Sequence, residues 1–176
     1  QGVIFQTHLD MVPQKNNEKK HDFEKDPIKT IIDWVWLRAD GTTLGSDNGI
    51  GVAATLAVLA SVNIAHGPIE ALFTVDEETG MTGVFGLKKG VLKGDILLNL
   101  DSEDENEICV GCAGGIDVSA KKDYAEEKAP KGFIAYKVIA SGLKGGHLCV
   151  DIALGRANNN KIMSRFLIQP DSDFGV

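Results

Sequence analysis

Three short apolar runs each end in side chains that can hold protons or metals. Ile4-Phe5-Gln6-Thr7 runs into His8-Leu9-Asp10, Leu72-Phe73-Thr74-Val75 into Asp76-Glu77-Glu78, and Ile96-Leu97-Leu98-Asn99-Leu100 into Asp101. A further acid, Asp47, heads a long apolar stretch in Gly45-Ser46-Asp47-Asn48-Gly49-Ile50-Gly51. If the runs are parallel strands, their carboxyl ends share the crevice in which open α/β sheets bind ligands. Crowding carboxylates there costs free energy through repulsion and desolvation unless a cation cancels the charge. A divalent metal would do so, and two metals suit this many acids better.

Each residue also has a plainer explanation. His8 and Asp10 lie two apart on an extended segment and leave it on one face. His8 could bind a metal while Asp10 holds its tautomer, or the pair could be a buried, hydrogen-bonded strand end. Asp47 is a good helix N-cap without any metal. Glu77 and Glu78 point apart on an extended backbone, so one could bind metal while the other serves as general base. Taken alone, the pair reads first as a solvated acidic turn before Thr79-Gly80. Asp101 directly follows an apolar run, unlike the rest of Asp101-Ser102-Glu103-Asp104-Glu105, which reads as exposed loop. His21 and His66 have no comparable setting and read as surface histidines.

The elements that must position these groups follow from local pattern. Gly2–Thr7, Glu70–Val75, Asp95–Leu100 and Phe133–Ala140 read as strands. Gly49–Ala65 reads as a buried helix, with Asn48 before it and Gly67-Pro68 after. Thr82–Lys89 reads as a shorter helix ended by Gly90, Pro13–Lys29 as a loop, and Ile31–Leu37 as a short strand before the turn Asp40-Gly41. Strands alternating with helices predict an α/β fold with a largely parallel sheet. After Gly114-Gly115 the character changes to alternating strands, a charged hairpin-like segment Lys121–Lys131, the Gly-rich run Gly142–Gly146 and a helix over about Ile152–Leu167. The expected domains are therefore 1–114 and 115–176.

Composition narrows the class of partner. The 176 residues carry a net charge of −7, without a basic face flanked by aromatics, which argues against nucleic acid and anionic membrane. No apolar run approaches the roughly 20 residues that span a bilayer, and Gln1–Asp10 lacks the pattern of a secretory signal. Three cysteines argue against a disulfide framework and for a reducing compartment. Cys109-Val110-Gly111-Cys112 has no second Cys or His pair to complete a structural zinc site. The Ala-Gly-Gly that follows suits a strand end or turn, not the helix N-terminus a redox pair would use. The chain opens inside an apolar run without Met, and so reads as a piece of something longer.

Four ordered motifs carry a resemblance. Thr7-His8-Leu9-Asp10-Met11-Val12, Asp40-Gly41-Thr42-Thr43-Leu44-Gly45-Ser46-Asp47-Asn48-Gly49-Ile50-Gly51, Asp76-Glu77-Glu78-Thr79-Gly80 and Asn99-Leu100-Asp101-Ser102-Glu103 resemble the co-catalytic zinc aminopeptidase and carboxypeptidase clan. Gly142-Leu143-Lys144-Gly145-Gly146-His147 and Gly155-Arg156-Ala157-Asn158 are similar to its aminoacyl-histidine dipeptidase branch.

The resemblance covers nearly the whole chain. It implies part of a zinc-peptidase catalytic domain with a parallel-rich sheet, followed by the first half of an α/β lid domain. It implies metal-dependent hydrolysis of dipeptides, with short peptides as substrates, a cytoplasmic location and a homodimer formed through the lid. His8 and Asp101 would hold one zinc, Glu78 the other, and Asp47 would bridge them, with manganese or cobalt as alternative metals. Asp10 would orient His8, Glu77 would be the general base and His147 would stabilise the oxyanion. The Asp47–Asn48 peptide would be cis.

Two departures stand out: Leu148-Cys149 replaces the usual Ser-Gly, and the clan's distant metal-binding His has no counterpart here. They lead to the expectation of an inactive fragment that holds at most one zinc tightly. A deacylase or tripeptidase of the same clan, and a non-catalytic α/β association module, are the alternatives.

Overall fold

Residues 1–102, 104, 106–112, 114–116, 118–146 and 151–174 are described by a computed structural model. The chain divides into two units, Gln1–Cys109 and Val110–Val176. The first contains, in order, β1 (Val3–His8), β2 (Thr30–Asp33), β3 (Trp36–Ala39), α1 (Ser46–Ala60), β4 (Ile69–Thr74), α2 (Thr82–Phe85) and β5 (Ile96–Asn99).

β1 is the centre of a three-stranded sheet in the order β4-β1-β5, parallel to both neighbours. Parallel neighbours need a crossover, and α1 supplies the one between β1 and β4. Because its two sequence neighbours in the sheet lie on opposite sides of it, β1 marks the point where chain direction across the sheet switches. Ile4 is the buried apolar residue of this layer at 4% exposure, whereas Ile96, Leu97 and Leu98 of β5 are 41–51% exposed.

The local elements differ from the expected ones in instructive ways. Ile31–Leu37 is two antiparallel strands instead of one, pairing Thr30 with Ala39 and Asp33 with Trp36. The chain reverses at Trp34-Val35, with Trp34 at φ 58°; no Gly or Asn advertises the turn. The long helix stops at Ala60 instead of Ala65. Ser61 turns extended, and its hydroxyl accepts the N–H groups of Asn63 and Ile64 at 3.2 Å, a local alternative to helical bonding. α2 covers only four residues, because Gly83 and Gly86 resist helix formation.

In the second unit, Phe133–Ala140 forms no strand and Lys121–Lys131 no hairpin. Phe133, Ile134 and Tyr136 are 72–83% exposed, and strand propensity without packing and a ladder partner does not make a strand. The expected helix over Ile152–Leu167 is a 3₁₀ turn, Ile152–Leu154, and then α3, Asn159–Phe174. Gly155 at φ 66° separates them, and Asn158 Oδ1 restarts the helix by accepting the Lys161 N–H at 3.0 Å. Among the described residues no helix is long and apolar enough to cross a membrane.

Candidate metal centre

Strand register brings the chemical groups together. His8 pairs with Thr74 at the end of β4, and Gln6 pairs with Asn99 at the end of β5. The ladder continues past the strands, with Leu9 N–H donating to Thr74 O at 2.9 Å and Leu100 N–H to Gln6 O at 3.0 Å. Residues just beyond Thr74 and Asn99 must therefore emerge beside His8.

His8 is 1% exposed. Its Nδ1 lies 2.9 Å from Asp10 O; since a carbonyl only accepts, Nδ1 carries the hydrogen. In the neutral ring Nε2 then presents a lone pair, and it faces Asp47 Oδ1 at 3.0 Å and Asp101 Oδ1 at 3.5 Å. Three electron-pair donors point at one another, so a shared cation, a proton or a metal, must lie among them. Burial pushes the His8 pKa down, but Asp101, the Asp10 carbonyl and Asp47 together raise it above the ordinary 6.5. One imidazole nitrogen and two carboxylate oxygens form a ligand set suited to zinc, so the residues fit a divalent metal on the chemistry of their donors.

The tautomer of His8 is held differently from the sequence expectation. The backbone carbonyl of Asp10 is the close partner, while its carboxylate lies 3.5 Å from Nδ1. That carboxylate accepts the N–H groups of Glu77 at 3.2 Å and Glu78 at 3.1 Å. Burial alone would raise the Asp10 pKa, but the N–H groups of Glu78 and Glu77 hold it below the ordinary 3.8.

Glu77 and Glu78 lie in a turn rather than on an extended backbone. Asp76 takes φ 63°, its carbonyl accepts Gly80 and Met81 N–H at 3.2 and 2.5 Å, and its carboxylate accepts the Thr79 and Thr82 hydroxyls. The turn delivers both carboxylates to His8: one ligand atom each from His8, Glu77 and Glu78 lie within 4.8 Å of one another, as do those of His8, Asp47 and Asp101. Burial raises the pKa of Glu77, with Asp101 adding to it, and raises that of Glu78, with Asp47 adding to it. Neither convergent group contains a cysteine.

Of the remaining candidates, His147 lies outside the described residues. His66 is exposed, its Nδ1 bonded to Gly67 O at 2.8 Å. His21 is half-buried instead of a surface residue, its ring edge-on to Phe23 at 4.5 Å. Two features escaped the sequence reading. A cavity of about 180 Å³ adjoins Asp47 and Glu78, walled by Met11, Val12 and Leu44. Asn48, between Asp47 and Gly49, is 2% exposed, and its place directly after Asp47 was the available signal. The Asp47–Asn48 peptide is cis.

The family described as Peptidase family M20/M25/M40 matches residues 4–157. The chain is 55% identical over 165 residues to the cytosol non-specific dipeptidase of Escherichia coli (strain K12), covering 94% of this chain and 34% of that protein. It is 32% identical over 122 residues to the uncharacterized protein YqjE of Bacillus subtilis (strain 168), covering 67% of this chain and 28% of that one. Among solved structures, the aminoacylhistidine dipeptidase from Vibrio alginolyticus matches with a TM-score of 0.63 and 52% identity, over 99% of this chain and 36% of that one. The chain thus spans about a third of the length of these relatives.

Proposed function

The chain belongs to Peptidase family M20/M25/M40, and from that premise we propose that it carries the metal centre of a cytosolic dipeptidase. The observation that carries this reading is the convergence of His8 Nε2 on Asp47 and Asp101, with Nδ1 already committed to Asp10 O. His8, Asp47 and Asp101 would hold one zinc, and Asp47 with Glu78 would hold a second. Bound there, the ions would supply Lewis-acid polarisation of the scissile carbonyl and lower the pKa of the attacking water. Residues 1–114 are the catalytic portion and 115–176 the beginning of the lid, through which two copies associate.

Glu77 takes the proton from the water and returns it to the leaving amine. Its burial, which raises its pKa, makes it a better base at neutral pH. Asp10 holds Glu77 and Glu78 by their backbone N–H groups, so base and ligand share one anchor. His147 supports the oxyanion. The substrate class is dipeptides, of the Xaa-His type or of broad specificity, in keeping with the names of the Vibrio and Escherichia coli relatives.

Stoichiometry and turnover test the reading separately. His8, Asp47 and Asp101 make a complete three-ligand site, whereas Asp47 and Glu78 alone make a weak one. Dialysis of this chain against zinc, followed by elemental analysis, is expected to find one tightly held ion per chain. No retained zinc overturns the metal centre. In the dipeptidase that contains this segment, Glu77→Gln is expected to lower kcat for Xaa-His dipeptides by about 10²–10⁴ with zinc content unchanged. Undiminished turnover removes Glu77 from the role of base.

A further inference from the structure

The amide of Asn48 has an arrangement that neither helix capping nor metal ligation explains. The residue at the head of α1 is Gly45, which makes no side-chain cap, and Asn48 itself has non-helical φ and ψ. Its side chain is buried and turned into the crevice, where Nδ2 donates to Leu100 O at 3.1 Å and to Asp101 Oδ1. Both amide hydrogens are therefore engaged at the end of β5. Asn48 Oδ1 is buried without a partner, so the amide's function lies on its donor side.

The oxygen it holds is the one that matters. Asp101 Oδ1 is also the atom 3.5 Å from His8 Nε2. The Asp101 backbone is tied down separately, its N–H donating to Asn99 Oδ1 at 2.9 Å. The side chain, 26% exposed, has water as its alternative partner. We propose that Asn48 is a positioning residue, whose amide aims the Asp101 carboxylate at the metal centre. This inference rests on the reading of His8, Asp47 and Asp101 as ligands. It adds the residue that fixes one ligand's rotamer, as outer partners of metal ligands commonly do.

The seat for the amide is kept open by Gly51. A Cβ there would overlap Asn48 Oδ1 and would meet Leu100 O at 2.8 Å and Thr7 Cγ2 at 3.0 Å. Gly51→Ala thus offers a way to displace the amide while leaving every ligand and Asn48 itself in the sequence.

Calorimetric titration with zinc alone tests the proposal on the parent chain, Asn48→Leu, Asp101→Ala, the double variant and Gly51→Ala, with circular dichroism and thermal melts on each metal-free protein. Asn48→Leu is expected to weaken zinc binding by roughly 10- to 100-fold, and Gly51→Ala to weaken it in the same direction. If Asn48 acts through Asp101, its substitution has no further effect once Asp101 is Ala; a merely structural residue would weaken both backgrounds alike. Should Asn48→Leu fail to fold, Gly51→Ala carries the test. A parent chain that binds no zinc overturns the metal centre and this assignment with it. A parent that binds zinc, is weakened by Asp101→Ala and is untouched by Asn48→Leu overturns this assignment alone, as does equal weakening in both backgrounds.

Discussion

At the carboxyl ends of β1, β4 and β5, the side chains withdrawn from water are polar: Thr7, His8, Asn48 and Thr74 are 0–4% exposed. Along the hairpin β2–β3, the side chains left in water are apolar: Ile32 is 82% exposed, Trp34 93%, Val35 86% and Trp36 64%. The usual assignment of residue types to interior and surface is reversed in both places. In the crevice His8, Asn48 and Thr74 reach the backbone carbonyls of Asp10, Leu100 and Thr7, whereas Thr7 Oγ1 and Asn48 Oδ1 are buried without a partner. The hairpin has its own ladder and the Arg38–Asp33 ion pair at 3.2 Å. Stability concentrated in apolar burial is thus small in both regions, but only in the crevice do the buried atoms include convergent metal-ligand types.

The sharpest way to break this contrast is to remove one residue from each side. His8→Ala is expected to lower zinc affinity by at least about a hundredfold, exceeding what loss of an outer partner costs. Trp36→Ser in the hairpin should leave it unchanged. Titration calorimetry on the two variants decides, and comparable losses would abolish the distinction.

The next effect is the response to pH. His8 is held above 6.5, and Glu77 and Glu78 above 4.5. A raised folded-state pKa means that the folded chain binds the proton more tightly than the unfolded one. The resulting stability is full below the unfolded value and is lost as pH rises through the folded value. Asp10, held below 3.8, acts oppositely: its contribution is present above 3.8 and lost as pH falls through its lowered value. The metal-free chain should therefore be most stable at mildly acidic pH and weaken as pH rises past 6.5. Saturating zinc should reverse the decline, because His8 binds metal only after losing its proton. Urea midpoints across a pH series, with chelator and with zinc, measure both. Metal-free stability that climbs between pH 6.5 and about 8 would contradict the cation cluster.

The smallest effect belongs to the hairpin. Trp34 sits at φ 58° and packs little, being 93% exposed. A left-handed L-residue costs about 1–2 kcal/mol, and Gly restores roughly 0.5–1 kcal/mol of unfolded-chain entropy. Trp34→Gly should stabilise the chain by about 1 kcal/mol with zinc affinity unchanged. A loss of stability on urea unfolding would mean that the exposed ring makes a contact of its own.

Much of this arrangement was legible before any coordinates. Continuous apolar runs marked β1, β4 and β5 and their parallel class, and the acids stood at their ends in plain order. The points where elements break or fail to form were harder. Trp34-Val35 gives no turn signal, so one strand was expected where two exist. Gly155 was read through rather than as a break between two helical pieces. Phe133–Ala140 has strand composition but lacks a strand's surroundings.

What the sequence determined by itself is the set of donors and the local elements that carry them, because periodicity and capping act over a few residues. What only the tertiary structure decided is which donors meet. The contacts of the centre join residues 39, 53 and 68 positions apart, as in His8 with Asp47, Asn48 with Asp101 and Asp10 with Glu78. These depend on the register of β1 against two other strands and on the turn at Asp76, neither of which local pattern encodes. The same register turned Asp10 toward the backbone of Glu77 and Glu78 and placed the Asn48 amide against Asp101, because buried N–H groups and carboxylates must find partners wherever the sheet brings them.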